Sequence, residues 1–139
     1  MTKIRTIYTG NLMTEAEHLK SGSKLVTEAP EDNNGKGEHF SPTDLFATSF
    51  GCCMLTIMGI AAQAHGFSID GTRIETEKIM AANPRRVAEL KLDIYFPRND
   101  YTEKQMRFID VSIKTCPVTN SIHPDVIKTI VYHFPETEK

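Results

Sequence analysis

The stretch SPTDLFATSFGCCMLTIMGIAAQAHG, from Ser41 to Gly66, decides the fold. Ser41 can cap a helix, Pro42 suits the first helical position where its missing N–H costs nothing, and Asp44 stands where the acid of a capping box reaches back to the cap. Gly66 supplies the stop. From Leu45 to Ala64 no residue is charged. The predicted helix therefore lacks an ordinary solvated face and must be wrapped on nearly every side.

A helix of this length and character can also cross a bilayer. Thr48, Ser49, Thr56 and Gln63 interrupt its apolar surface, no Lys/Arg cluster flanks it, and β-patterned sequence follows directly. A central helix in a soluble core or dimer interface is the expectation, with no membrane partner. Within it Phe46, Phe50, Cys53, Ile57, Ile60 and Ala64 recur at three- and four-residue steps as a predicted apolar stripe. Leu45, Ser49, Cys52, Thr56, Gly59 and Gln63 form a second stripe of small or mildly polar residues that another element can approach closely. Adjacent helical residues point about 100° apart, so Cys53 and Cys52 face different environments and are not expected to bond each other.

Upstream of the helix, Lys3 to Tyr8, Leu12 to Leu19 and Lys24 to Glu28 read as three strands, separated by Thr9-Gly10-Asn11 and by Ser21-Gly22-Ser23. The polar run from Pro30 to Phe40 leads into the helix cap, as a connection or as a lid. Downstream, Ser68 to Met80 and Val87 to Phe96 read as strands joined through Asn83, Pro84 and Arg85. In the second, Ala88, Leu90, Leu92, Ile94 and Phe96 alternate with polar positions. Thr102 and Gln105 offer a capping box for a helix reaching Lys114, with Met106, Ile109 and Ile113 inside. Val126 to Phe134 is a last strand. The order of three strands, long helix, two strands, helix and strand predicts an α+β fold over residues 1–139, as one domain with its sheets packed on the long helix.

Composition narrows the function. The 139 residues are 40% hydrophobic, with 16 basic and 18 acidic side chains and a net charge of −2. No dense basic run suggests a nucleic-acid partner. No apolar segment follows Met-Thr-Lys-Ile-Arg at the start, so no signal peptide is read and a cytoplasmic location is expected. Three cysteines are too few and too odd in number for a disulfide framework, which leaves burial or thiol chemistry. The five histidines make no His-x-x-x-His pattern and the cysteines no Cys-x-x-Cys, so neither a metal nor another cofactor is expected. His65 reads as a helix C-terminal residue, His123 as a surface loop residue, and Arg85 and Arg86 as solvated turn residues.

A reactive thiol needs donors or positive charge to favour its anion, together with access for an electrophile. Cys116, followed by Pro117 and a short turn, can sit at a helix N-terminus whose amides favour a thiolate. Cys53, in mid-helix on an apolar stripe, needs a polar group brought to it from elsewhere.

Ser41-Pro42-Thr43-Asp44-Leu45, the small and apolar residues through Gly51, Cys53, and Thr115-Cys116-Pro117-Val118-Thr119 together resemble the OsmC/Ohr family of thiol peroxidases. The resemblance runs from near the N-terminus to Phe134. It implies an OsmC-like fold of mainly antiparallel sheets on the long helix, in an intertwined homodimer with sites at the subunit interface. It also implies reduction of organic hydroperoxides, with Cys53 as peroxidatic and Cys116 as resolving cysteine, reset by a dithiol reductant. Family members typically carry a glutamate where Thr43 stands, and an arginine in the N-terminal half, whereas this chain has no arginine between Arg5 and Arg73. Thr43, Asp44 and Lys36 are the residues available to support the thiol. Without that arginine and glutamate, the alternative implied is a non-peroxidatic relative that binds a small apolar or thiol-reactive ligand in the dimer cleft.

Overall fold

The computed structural model describes residues 1–136 and forms two compact units, Met1–Phe46 and Ala47–Lys139. In the N-terminal unit, strands β1 (Ile4–Gly10), β2 (Met13–His18) and β3 (Lys24–Glu28) make an antiparallel sheet in sequential order. The β1–β2 turn is made by Asn11 and Leu12, both with positive φ (56° and 61°). Paired left-handed residues give the turn a twist that matches the strands it joins. After a 3-10 turn at Glu31–Asn33, the chain returns along β3, where the Glu28 amide donates to the Phe40 carbonyl at 3.0 Å. Glu28 is buried, and its carboxylate accepts the His39 amide and lies 3.4 Å from the His39 ring. A buried carboxylate without such a donor would cost several kcal/mol, roughly.

Helix α1 (Pro42–Ala64) starts in this unit as the Ser41 motif predicts. Ser41 Oγ accepts the Asp44 amide and Asp44 Oδ2 accepts the Ser41 amide, each at 3.0 Å. The reciprocal pair satisfies two backbone donors that a helix start otherwise leaves orphaned.

The C-terminal unit holds the rest of α1, strands β4 (Arg73–Ala81), β5 (Arg86–Tyr95) and β6 (Ile127–His133), and helices α2 (Glu103–Ile113) and α3 (Pro117–Ser121). β4 and β5 form the predicted hairpin through the Asn83–Pro84 turn. β5 and β6 pair in parallel, a departure from the otherwise antiparallel sheets. Two helices intervene between these strands and return the chain to the end where β5 began, as a parallel connection requires. The alternation in β5 holds: Leu90, Leu92, Ile94 and the following Phe96 are all buried.

The face that α1 buries is not the one its spacing suggested. Ala47, Phe50, Met54, Met58 and Ala62 enter the core, whereas Phe46 is 38% and Ile60 59% exposed. Only Phe50 of the predicted stripe is fully buried. With no charge from Leu45 to Ala64, several faces satisfy the same three- and four-residue rhythm, and the long unbranched methionines outcompete them in filling the core. Each fully buried Phe or Met contributes about 1.5–3 kcal/mol relative to exposure. α1 is thus a core helix of this unit. It comes close to β4 at Gly51, where an added Cβ would lie 3.2 Å from Thr76 Oγ1.

Helix α2 begins with both bonds of the predicted Thr102/Gln105 capping box and buries Ile109 and Ile113. At the end of α1, His65 stacks on Phe108 of α2, ring centroids 3.4 Å apart and 3° from parallel. Its place just past the helix matches expectation, and the stacking partner adds a packing role.

Candidate functional site

Sulfur chemistry in this chain centres on one pair. Cys53 projects from the middle of α1, and Cys116 caps the five-residue α3 in the C-terminal unit. The fold brings their Sγ atoms within 2.7 Å of each other. Both are free thiols, Cys116 buried and Cys53 half-buried. Cys53 is therefore the sulfur open to a reagent from solution, and Cys116 the one behind it. Cys52 is exposed on another side of the helix, and its carbonyl accepts the Thr56 hydroxyl at 2.8 Å.

Local sequence explains how Cys116 is held. Pro117 sets the first residue of α3 with a fixed φ and no amide to satisfy, and the cap residue stays extended (φ −60°, ψ 118°). In that conformation the Cys116 sulfur takes the place of a capping oxygen and accepts the Thr119 amide at 3.5 Å. Upstream, α2 ends with Ile113 in the core and the Cys116 amide bonded to its carbonyl at 3.3 Å, which fixes the approach of the chain.

The two thiols are driven apart in acidity. Burial pushes the Cys53 thiol up, reinforced by its hydrogen bond with Cys116 and by like charge on Cys116 and Cys52, while the Val118 amide opposes. Burial also resists ionisation of Cys116. There it is outweighed by the hydrogen bond with Cys53, by the neighbouring Thr119 hydroxyl and by the amides of Thr119 and Val118, and the thiol lies below its usual range. When the pair loses its first proton, the Thr119 amide directed at Cys116 favours the charge on that sulfur and leaves the remaining proton on Cys53.

Of the residues expected to support the thiol, Thr43 and Asp44 are brought together with Ser41 at the start of α1. The Thr43 and Ser41 hydroxyls are 3.3 Å apart there. Lys36 is an exposed residue of the N-terminal unit. His123 is exposed and lies 3.7 Å from Asp125, as a loop residue. Among the described residues no group of three or more His, Cys, Asp or Glu side chains is placed to hold a metal ion.

Thr119 belongs to the Cys116 motif without an assigned role, yet its amide donates to the Cys116 sulfur at 3.5 Å. The available signal was its position, three residues after the cap, where a capping atom meets the backbone amide.

Residues 35–130 match the family model described as OsmC-like protein. A solved protein from Psychrobacter arcticus 273-4, provisionally described as an osmotic stress induced and detoxification response protein, is 47% identical. It aligns over 96% of each chain with a TM-score of 0.90. The fold is also shared with the organic hydroperoxide resistance protein OsmC of Legionella pneumophila, at 18% identity, TM-score 0.74, and 95% and 96% coverage of the two chains. OhrB of Bacillus subtilis, an organic hydroperoxide resistance protein, aligns at 14% identity, TM-score 0.70, and 96% and 98% coverage. No curated protein matches the chain by sequence.

Proposed function

The chain belongs to the OsmC-like protein family, and from that premise we propose that it reduces organic hydroperoxides with Cys53 and Cys116. The observation that carries this reading is the 2.7 Å separation of the two sulfurs, in a pair where one thiol is accessible and the other buried behind it. Cys53 passes its proton to the neighbouring Cys116 thiolate and attacks the terminal peroxide oxygen; the S–O bond forms, the O–O bond breaks, and the leaving alkoxide takes that proton back from Cys116 to depart as the alcohol. The Cys53 sulfenic acid is then attacked by the Cys116 thiolate. The S–S bond forms, the S–O bond breaks, and hydroxide leaves as water after protonation. A dithiol reductant returns the pair to two thiols. The likeness to the Legionella and Bacillus proteins, both organic hydroperoxide resistance proteins, supports the substrate class.

The working form is a homodimer in the cytoplasm. Support comes from the exposed apolar residues on the uncharged stretch of α1 from Leu45 to Ala64, Ile60 above all, which a second copy would cover. The test of the activity is consumption of cumene hydroperoxide or t-butyl hydroperoxide by the reduced chain with a dithiol such as dihydrolipoamide. No consumption with either peroxide removes the reading.

A second reading is favoured by the upward push on Cys53. A protonated thiol beside an apolar helix suits binding of a small apolar or thiol-reactive ligand without peroxide turnover. Under it, Cys53→Ser retains ligand binding; under the first reading, the same change removes all function.

A further inference from the structure

Thr119 presents a feature that helix capping alone leaves unexplained. Its backbone amide donates to the Cys116 sulfur at 3.5 Å. Its side-chain oxygen is buried and has no hydrogen-bond partner. A buried hydroxyl without a partner is destabilising, and neighbouring serine and threonine hydroxyls avoid that cost. Thr115 and Ser112 bond to main-chain carbonyls at 2.7 Å, and Ser121 bonds to the Pro117 carbonyl at 2.7 Å. Among the described residues, the Thr119 hydroxyl is the buried side-chain oxygen left without a partner, beside a sulfur whose ionisation it favours.

We propose that Thr119 is a positioning residue, whose hydroxyl turns to donate to Cys116 when that sulfur carries negative charge. This rests on the disulfide cycle proposed above and assigns a residue to two of its steps. In the first, Cys116 must be a thiolate to attack the Cys53 sulfenic acid, and a donor on its sulfur enlarges the thiolate population. In the second, the thiolate of a dithiol reductant attacks the accessible Cys53 sulfur, the S–S bond breaks, and Cys116 departs with the electron pair. A stabilised leaving thiolate departs faster. The second thiol of the reductant then attacks the mixed disulfide, releases Cys53 and closes the reductant's own disulfide. Thr119 contributes nothing in either step until charge reaches Cys116, which accounts for a hydroxyl left unbonded in the thiol form.

The test compares Thr119→Val, which keeps the shape and deletes the hydroxyl, with Thr119→Ser, which restores it. Both are made in a Cys52→Ser chain so that only the pair titrates. Thiolate absorbance near 240 nm gives the first ionisation of the reduced pair. Thr119→Val is expected to move it upward by roughly one pH unit, a tenfold loss of thiolate at a fixed pH below the transition, as befits one charge-assisted hydrogen bond. Thr119→Ser is expected to restore it. The disulfide, formed with diamide, is expected to be reduced more slowly by dithiothreitol in Thr119→Val than in either hydroxyl-bearing chain. Unchanged titration in Thr119→Val, or the same shift in Thr119→Ser, overturns the proposal. Neither readout uses a hydroperoxide. A chain that shows the shift but consumes no peroxide removes the proposed activity and keeps Thr119; one that turns over peroxide without the shift does the reverse.

Discussion

The Cys53 and Cys116 sulfurs lie 2.7 Å apart although 63 residues separate them in the chain. Two independent anchors produce this meeting. Cys53 rides on a helix fixed by Phe50, Met54 and Met58, all with no exposed surface, and Cys116 is held between the buried Ile113 and Ile122. Disulfide formation requires sulfurs about 2.05 Å apart, so the reduced pair is nearly in register for bonding. The proposed cycle therefore asks only a small side-chain adjustment of the pair.

Removing either sulfur separates the two halves of the proposed cycle. Cys53→Ser is expected to lower hydroperoxide consumption by about three orders of magnitude or more, because the nucleophile itself is lost. Cys116→Ser is expected to complete one oxidation and stop, leaving a sulfenic acid on Cys53 that dimedone traps. Mass spectrometry of the trapped chain checks both outcomes.

The acidities predict a split titration. A thiol lowered below its usual range is charged at lower pH than a free cysteine, and one raised above it keeps its proton to higher pH. Reduced Cys52→Ser protein should therefore lose one proton below the ordinary thiol range, mainly from Cys116, and the second above it, mainly from Cys53. In Cys116→Ala, Cys53 loses the bond and the like charge that raise it, and its ionisation should move down. Thiolate absorbance against pH reads all three.

The core face of α1 can be tested by truncation. Met54→Ala should cost about 2–5 kcal/mol and Phe50→Ala about 3–5 kcal/mol, from lost burial and the cavity left behind. Ile57→Ala, on the helix but only half-buried, should cost less than either. Urea unfolding of the three variants against the parent chain gives the order.

Much of the architecture was legible because local chemistry and global fold agree. The Ser41/Asp44 and Thr102/Gln105 boxes mark both helix starts within a residue, and the strict alternation from Leu90 to Phe96 identifies the buried face of β5. The buried side of α1 was not legible, because a helix uncharged over Leu45 to Ala64 offers no polar face to exclude. The parallel pairing of β5 with β6 depends on where two helices return the chain, which no local pattern encodes. At the site, the two cysteines could be named from motifs in the chain. Their contact, and the split in acidity it creates, arise from tertiary placement. The role of Thr119 depends on a hydroxyl that finds no carbonyl, a property of the folded surroundings alone.

The exposed side of α1 bears on assembly. Ile60 is 59% exposed on the uncharged Leu45–Ala64 stretch of the helix, and a lysine there would place an ammonium in any interface formed on that face. Ile60→Lys should convert a dimer to a monomer in light scattering while leaving the helix content by circular dichroism unchanged. A parent chain that is monomeric at micromolar concentration contradicts the dimer.

The most direct test of the central claim adds one equivalent of cumene hydroperoxide to fully reduced protein, followed by thiol counting and non-reducing peptide mapping. The proposed cycle predicts the loss of two thiols per chain, with Cys53 and Cys116 joined in one disulfide and Cys52 still free. Survival of both thiols, or a disulfide that joins Cys52 instead, contradicts it.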